Sequence, residues 1–281
     1  MSGNFCAIEK HFVKTLVVLF VAVLLFSPFS AEAQDTGWGH LKGKIIVEGD
    51  IPDADELTVD TDDRRYCLAT GQSFADNSLV VSEDGALRDA FVMMYFGRRD
   101  RNRPAVHPSY EESATAKIKL DNRNCRFSPK AIFVRRGQSI EFVNSDRIGH
   151  NCHIQTFGFE DNYTLGAGQT VEVDVQPEKT PSLPGVVTCD AHRWMESILL
   201  IRDEPYAAIT DEEGNFLIEN IPAGEWSFQF WHKRPGYLKT LKRDGNEFLG
   251  KRAETKLEIA DGETLDLGTL VISADFMLEK E

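Results

Sequence analysis

The chain has 281 residues, 42% of them hydrophobic and 27% charged, with a formal net charge of −14. A mature chain of this size accommodates two β modules. With 45 acidic against 31 basic residues, the surface repels phosphate backbones, so no nucleic-acid partner is expected.

In chain order the first signal is a leader. Lys10 and Lys14 precede the apolar run Leu16 to Phe26, and Ser27-Pro28-Phe29-Ser30-Ala31-Glu32-Ala33 follows it. A charged region, a short apolar segment and an Ala-x-Ala signal predict a signal peptide over residues 1–33, cut before Gln34. The run is too short for a transmembrane helix. The mature chain is therefore expected to carry no transmembrane segment and to be exported, to a periplasm or the extracellular space. The leader holds two basic and two acidic residues, so its removal leaves the net charge unchanged.

No later segment sustains a 3.6-residue apolar period. Short alternating runs recur instead at Leu41 to Val47, Leu79 to Val81, Phe91 to Phe96, Ile118 to Leu120, Ile132 to Val134 and Ile140 to Val143. Others lie at Val171 to Val175, Ile198 to Ile201, Phe216 to Ile218, Trp226 to Trp231, Leu257 to Ile259 and Leu265 to Ile272. Turn chemistry separates them, as in Glu83-Asp84-Gly85, Asp211-Glu212-Glu213-Gly214 and Asp261-Gly262-Glu263. The pattern predicts an all-β protein made of β-sandwiches, and the mature length accommodates two. Arg98 to Arg103, ending at Pro104, is the expected linker. The Asp-rich stretch Leu57 to Arg65 reads as a solvated loop, with a calcium site as the minor alternative.

The chemistry concentrates in Val187-Thr188-Cys189-Asp190-Ala191-His192-Arg193-Trp194-Met195, with Asn144-Ser145-Asp146 and Gly149-His150-Asn151 upstream. One tight loop places a thiolate, an imidazole and a thioether at spacings of three residues, so successive donors can turn inward. Two imidazoles and a thiolate in a plane, with a weak axial thioether, are the donors of a mononuclear blue copper site. Each ligand also has a plainer reading. The minor alternatives are half of a disulfide for Cys189, an ordinary loop histidine for His150, and core filler for Met195. His153 competes with His150, but strand alternation places it on the opposite face. Of the other mature cysteines, Cys152 shares the inward face with His150 and reads as a core residue. Cys67 and Cys125 remain, either as a disulfide pair permitted by export or as two free thiols.

Residues from about 112 to 203 resemble a cupredoxin, and the ligand-loop spacing is that of the amicyanin branch. The matching positions are Phe127-Ser128-Pro129, Val134-Arg135-Arg136-Gly137-Gln138, Phe142-Val143-Asn144-Ser145-Asp146, His150-Asn151, then Cys189, His192 and Met195. The resemblance implies a Greek-key β-sandwich over 111–203 holding one type 1 copper ion. His150, Cys189 and His192 would be equatorial, Met195 axial, and Asn151 a brace between the two ligand loops. Arg193 stands where this group often has proline, which bears on the stiffness of the loop. The flanks resemble a carboxypeptidase regulatory-like, or transthyretin-like, sandwich in Gly43 to Val47, Ala90 to Phe96, Thr210 to Phe216 and Ile221 to Trp226. Residues 40–110 and 204–281 are therefore expected to form one split sandwich around the central domain.

The chain is also similar to exported proteins of the methylamine-utilisation type. The function this implies is single-electron transport between redox proteins of unidentified kind. His192 would be the partly exposed ligand, with Arg193 and Trp194 as docking contacts, and the acidic surface would steer a basic partner. Copper binding or trafficking without rapid electron transfer, or a structural role in a cell-envelope assembly, are the alternatives. An enzyme is not expected. Multicopper oxidases flank the ligand cysteine with histidines, whereas Thr188 and Asp190 stand here, and no Ser-His-Asp motif is present.

Overall fold

The computed structural model describes Met1 and residues 37–97, 103–250 and 253–279. The leader expected over residues 1–33 and most of the expected linker Arg98 to Arg103 lie outside the described residues. Among those described, no helix is long and apolar enough to cross a membrane.

The protein is all-β, and among the described residues the strands form four sheets. In the first, Trp38–Glu48 pairs antiparallel with Asn215–Pro222 and parallel with Thr264–Ser273. In the second, Phe91–Met94 lies between Ala207–Ile209 and Gly224–His232, and the latter also pairs with Glu254–Ile259. Both sheets thus join strands from the two ends of the chain. The central segment supplies the other two. One runs Arg126–Ser128, Lys117–Arg123, Ser139–Asn144, Thr170–Asp174. The other runs Ala131–Arg135, Glu196–Arg202, Gly185–Thr188, His150–Thr156, Phe159–Leu165.

Burial explains why these runs are strands. Leu41, Ile45, Phe216, Ile218 and Leu270 of the first sheet pack with Val92, Met94, Phe228 and Phe230 of the second in one core. Leu120, Ile140 and Phe142 pack with Ile154, Val187, Leu199 and Ile201 in a separate core between the central sheets. Each such side chain contributes about 1.5–3 kcal/mol on burial. Phe91–Met94 and Glu196–Arg202 bury apolar side chains on both faces. Phe91–Met94 sends Val92 and Met94 into the outer core and Phe91 and Met93 to the other side, where they meet Ala131, Ile198 and Leu200. In Glu196–Arg202, Leu199 and Ile201 face the central core while Ile198 and Leu200 face Phe91 and Met93. Continuous apolar runs of this kind mark strands covered on both faces. They weld the outer and central sandwiches through a third, smaller core.

Three expectations change. Leu79 to Val81 is not a strand, since only Val81 makes an isolated bridge, to Leu87. Phe159–Leu165 is a strand in which Asp161 interrupts the apolar alternation. It lies at a sheet edge, paired only with His150–Thr156, so solvent rather than a core meets its polar side chains. Leu57 to Arg65 is not merely a solvated loop. Val59 is buried, and the short helix that follows, Arg64–Ala69, buries Cys67 in the core that carries the ligand loop.

Candidate metal centre

The first donor sits at the start of the strand His150–Thr156. The bend before it is pinned by Asn144, whose side-chain amide donates to Ile148 O at 2.8 Å, Leu165 O at 3.1 Å and Gly166 O at 3.0 Å. Asp146 is fixed in turn, its carboxylate accepting from the backbone N–H groups of Asn124 at 2.7 Å and Cys125 at 2.9 Å. His150 Nε2 lies 2.9 Å from Asp146 Oδ2. A carboxylate there holds a proton on Nε2 and turns Nδ1 toward the other donors, where a metal ion would displace the second proton.

The remaining donors come from the loop between Gly185–Thr188 and Glu196–Arg202. The strand Gly185–Thr188 is clamped between that return strand and His150–Thr156. A Cβ on Gly185 would lie 2.4 Å from Gln155 O, so a side chain there would force apart the strands that bring the two ligand loops together. The loop itself is a succession of tight turns. His192 N–H donates to Cys189 O at 3.3 Å, Met195 N–H to His192 O at 2.8 Å, and Cys189 N–H to Met195 O at 3.2 Å. Those three-residue turns are why Cys189, His192 and Met195 all face inward.

His150 Nδ1 lies 3.1 Å from His192 Nδ1, and Cys189 Sγ lies 3.5 Å from His192 Nδ1 and 3.9 Å from His150 Nδ1. Metal–ligand bonds of about 2.0–2.3 Å at trigonal angles place donors roughly 3.5–3.9 Å apart, so the donors fit an ion with little adjustment. Met195 is fully buried in the same loop. Asn151 braces the arrangement, its Oδ1 accepting the Asp190 N–H at 2.8 Å and standing 3.3 Å from Cys189 Sγ. Its Nδ2 donates to Asp190 Oδ2 and to Asn162 Oδ1, each at 2.8 Å.

The electrostatics favour a thiolate. Burial pushes the Cys189 thiol up, but hydrogen bonds from His150, His192 and the Asn151 backbone outweigh it and bring it down to about 6. Burial pushes His150 down, and Asp146 and Cys189 outweigh it, raising the imidazole to about 9. Cys152 is the contrast. Burial pushes its thiol up to about 12, which keeps it a neutral core residue.

His150, Cys189 and His192 form one buried group able to hold a metal ion. His153 stays outside it, its Nδ1 3.1 Å from Asp190 Oδ1 and its Nε2 3.5 Å from Glu160 Oε1. Cys67 and Cys125 are joined in a disulfide. Although Cys125, Asp146 and His150 also cluster, that sulfur is bonded and offers no thiolate.

Two expectations are corrected. His192 is not partly exposed, its relative exposure being 0%. Trp194 is not a surface contact either, since it is buried and its Nε1–H donates to Cys125 O at 2.9 Å. The segment around Arg64–Ala69 covers this end of the site, with Phe74 edge-on to Trp194 at 5.7 Å. Sequence reasoning assigned no role to Asp146, although it stands four residues before His150. It also gave Asp63, whose Oδ2 lies 3.5 Å from His192 Nε2, no part in this site and placed it only within the Asp-rich stretch Leu57 to Arg65.

No family model matches the chain, and no curated protein matches it. Among solved structures it is similar to a copper-containing nitrite reductase from Thermus scotoductus SA-01, at 16% identity and a TM-score of 0.26, covering 38% of this chain and 25% of that one. It is also similar to a point mutant of amicyanin in its oxidised state, at 14% identity and a TM-score of 0.27, covering 32% of this chain and 83% of that one. A purple cupredoxin from Nitrosopumilus maritimus has 20% identity and a TM-score of 0.25, covering 31% of this chain and 98% of that one. The chain thus spans a quarter of the nitrite reductase.

Proposed function

We propose that this is an exported protein that carries single electrons between redox proteins through one type 1 copper ion, and that it is not an enzyme. The convergence of His150 Nδ1, His192 Nδ1 and Cys189 Sγ in a buried pocket carries the reading. When bound, copper supplies a one-electron couple, and a soft thiolate with two imidazoles accepts both of its oxidation states. The chain's part is to hold the donors still. Asp146 orients His150, Asn151 ties its own loop to Asp190, and the three-residue turns hold Cys189 and His192. Met195 fits the axial position because it shares those turns and is buried beside them. Burial excludes water from the donors, which limits reorganisation when the charge changes.

Residues 40–110 and 204–281 would be a split sandwich around the central domain 111–203, a reading that the strand pairing across both flanks supports. The Cys67–Cys125 disulfide suits an oxidising periplasmic or extracellular setting. The visible spectrum of the copper-loaded mature chain tests the proposal. An intense thiolate-to-copper charge-transfer band is expected, and a loaded protein without one would overturn the copper assignment. The complete burial of His192 favours a second reading, copper binding or trafficking with slow electron exchange. Fast self-exchange supports the carrier, and transfer of copper to an acceptor protein without it supports the second reading.

A further inference from the structure

We infer that Asp63 is a positioning residue of the metal centre, supplied from outside the central sandwich by a disulfide-pinned strap over residues 57–75. The inference rests on the copper reading above and extends the ligand environment to a segment that no ligand motif contains.

His192 is fully buried, and its Nε2 has no hydrogen-bond partner among the described residues. An imidazole that coordinates through Nδ1 carries its proton on Nε2, and a buried N–H without an acceptor costs about 1–3 kcal/mol. Asp63 Oδ2 stands 3.5 Å from that nitrogen, on a side chain that keeps 42% of its surface exposed. A small rotation brings it into hydrogen-bond range.

The second observation comes from the helix that Asp63 begins. Asp63 is the N-cap of Arg64–Ala69, a position where an aspartate ordinarily turns its carboxylate onto the helix N–H groups. Here the side chain makes no cap hydrogen bond. The carboxylate forgoes the local partner and faces the ligand imidazole.

The strap is held where this contact needs it. Cys67 is bonded to Cys125, and Val59, Cys67 and Phe74 lie in the core that contains Cys189 and Met195. Tyr66 reaches the other imidazole indirectly, its hydroxyl lying 3.3 Å from Asp146 Oδ1 while Asp146 Oδ2 holds His150. Each ligand histidine thus faces a carboxylate, Asp146 from the central sandwich and Asp63 from the strap. A carboxylate on the outer nitrogen fixes the ring and makes it a stronger donor. Its negative charge favours the more highly charged oxidation state of the metal, and it replaces solvent at the edge of His192.

The test compares Asp63→Ala, Asp63→Asn and Asp63→Glu in the full mature chain with the disulfide intact. In the metal-free protein, nitrogen NMR of the imidazoles should show a His192 Nε2–H protected from solvent exchange in the parent. It should be lost in Asp63→Ala and kept in Asp63→Glu. With copper bound, Asp63→Ala should bind about 10- to 100-fold more weakly. If Cu(II) bears a tenfold larger share of that loss than Cu(I), the reduction potential rises by about 59 mV. Asp63→Asn, which keeps an acceptor but no charge, should protect the proton yet still raise the potential, and Asp63→Glu should restore the parent value. A blue parent whose potential is unmoved in Asp63→Ala would overturn the inference while the copper reading stood. A parent that never turns blue would remove the copper reading. The proton then decides alone, and unchanged protection in Asp63→Ala would overturn the contact.

Discussion

In the outer sandwich, where Trp38–Glu48 and Phe91–Met94 face each other, the buried Thr210 and His232 each serve the backbone. Thr210 Oγ1 accepts the Ala90 N–H at 2.9 Å, and His232 accepts the Arg234 N–H at 3.2 Å. In the central sandwich Asn144, Asp146, His150, Asn151 and His192 are all buried and converge on one end. Burying polar groups is costly unless they are paired. A chain that concentrates them beside a low-lying thiolate is spending stability on a site. The outer sandwich shows what the same all-β plan looks like without that demand.

The sharpest way to break the contrast is at the thiolate. Cys189→Ser should abolish the visible charge-transfer band outright, because a hydroxyl cannot replace the sulfur. His150→Ala should weaken copper binding severely, while His153→Ala leaves copper content and colour at parent level, both read by metal titration. The reverse pattern would reassign the strand register. An equal cut in the outer sandwich should act on stability alone. Phe230→Ala removes a fully buried ring and should cost about 3–5 kcal/mol in denaturant unfolding with the spectrum unchanged. A spectral change would mean that the two sandwiches are coupled through the Phe91, Met93, Ile198 and Leu200 contact.

A smaller effect is expected at the clasp. Replacing Cys67 and Cys125 together by alanine opens a covalent link between residues 58 apart in sequence and should cost about 2–4 kcal/mol. It should also speed removal of the metal by a chelator, since the strap covers His192. The smallest effect concerns His232, which burial and then the charges of Lys130 and Arg234 push down to about 3. Its unfolded value is about 6.5, so between these limits the unfolded chain holds the extra proton. The stability that neutral His232 preserves is therefore complete above pH about 6.5 and falls as the pH drops toward about 3. His232→Gln should flatten that acid limb in pH-dependent unfolding and leave the neutral plateau's slope unchanged.

Most strands were legible because period-2 apolar alternation reports burial on one face, as in Leu41 to Val47 or Ile140 to Val143. The edge strand Phe159–Leu165 was not, because Asp161 interrupts the alternation of Phe159, Tyr163 and Leu165 on its one covered face. The helix Arg64–Ala69 was not either, being too short for a 3.6-residue pattern to emerge.

At the site the division is similar. Cys189, His192 and Met195 could be read from their spacing because one loop must turn all three inward, and a three-residue repeat does that through local hydrogen bonds. Alternation along a single strand set His150 and His153 on opposite faces, and the resemblance that places the ligand directly before Asn151 chose His150. Both depend on neighbours in sequence. Pairing Cys67 with Cys125, setting Asp63 against His192 and burying Trp194 depend on where a distant segment lies after the cores have packed. Local pattern marked the candidate donors. Only the tertiary structure decided what encloses them, because burial by a remote strap leaves no periodicity in either partner.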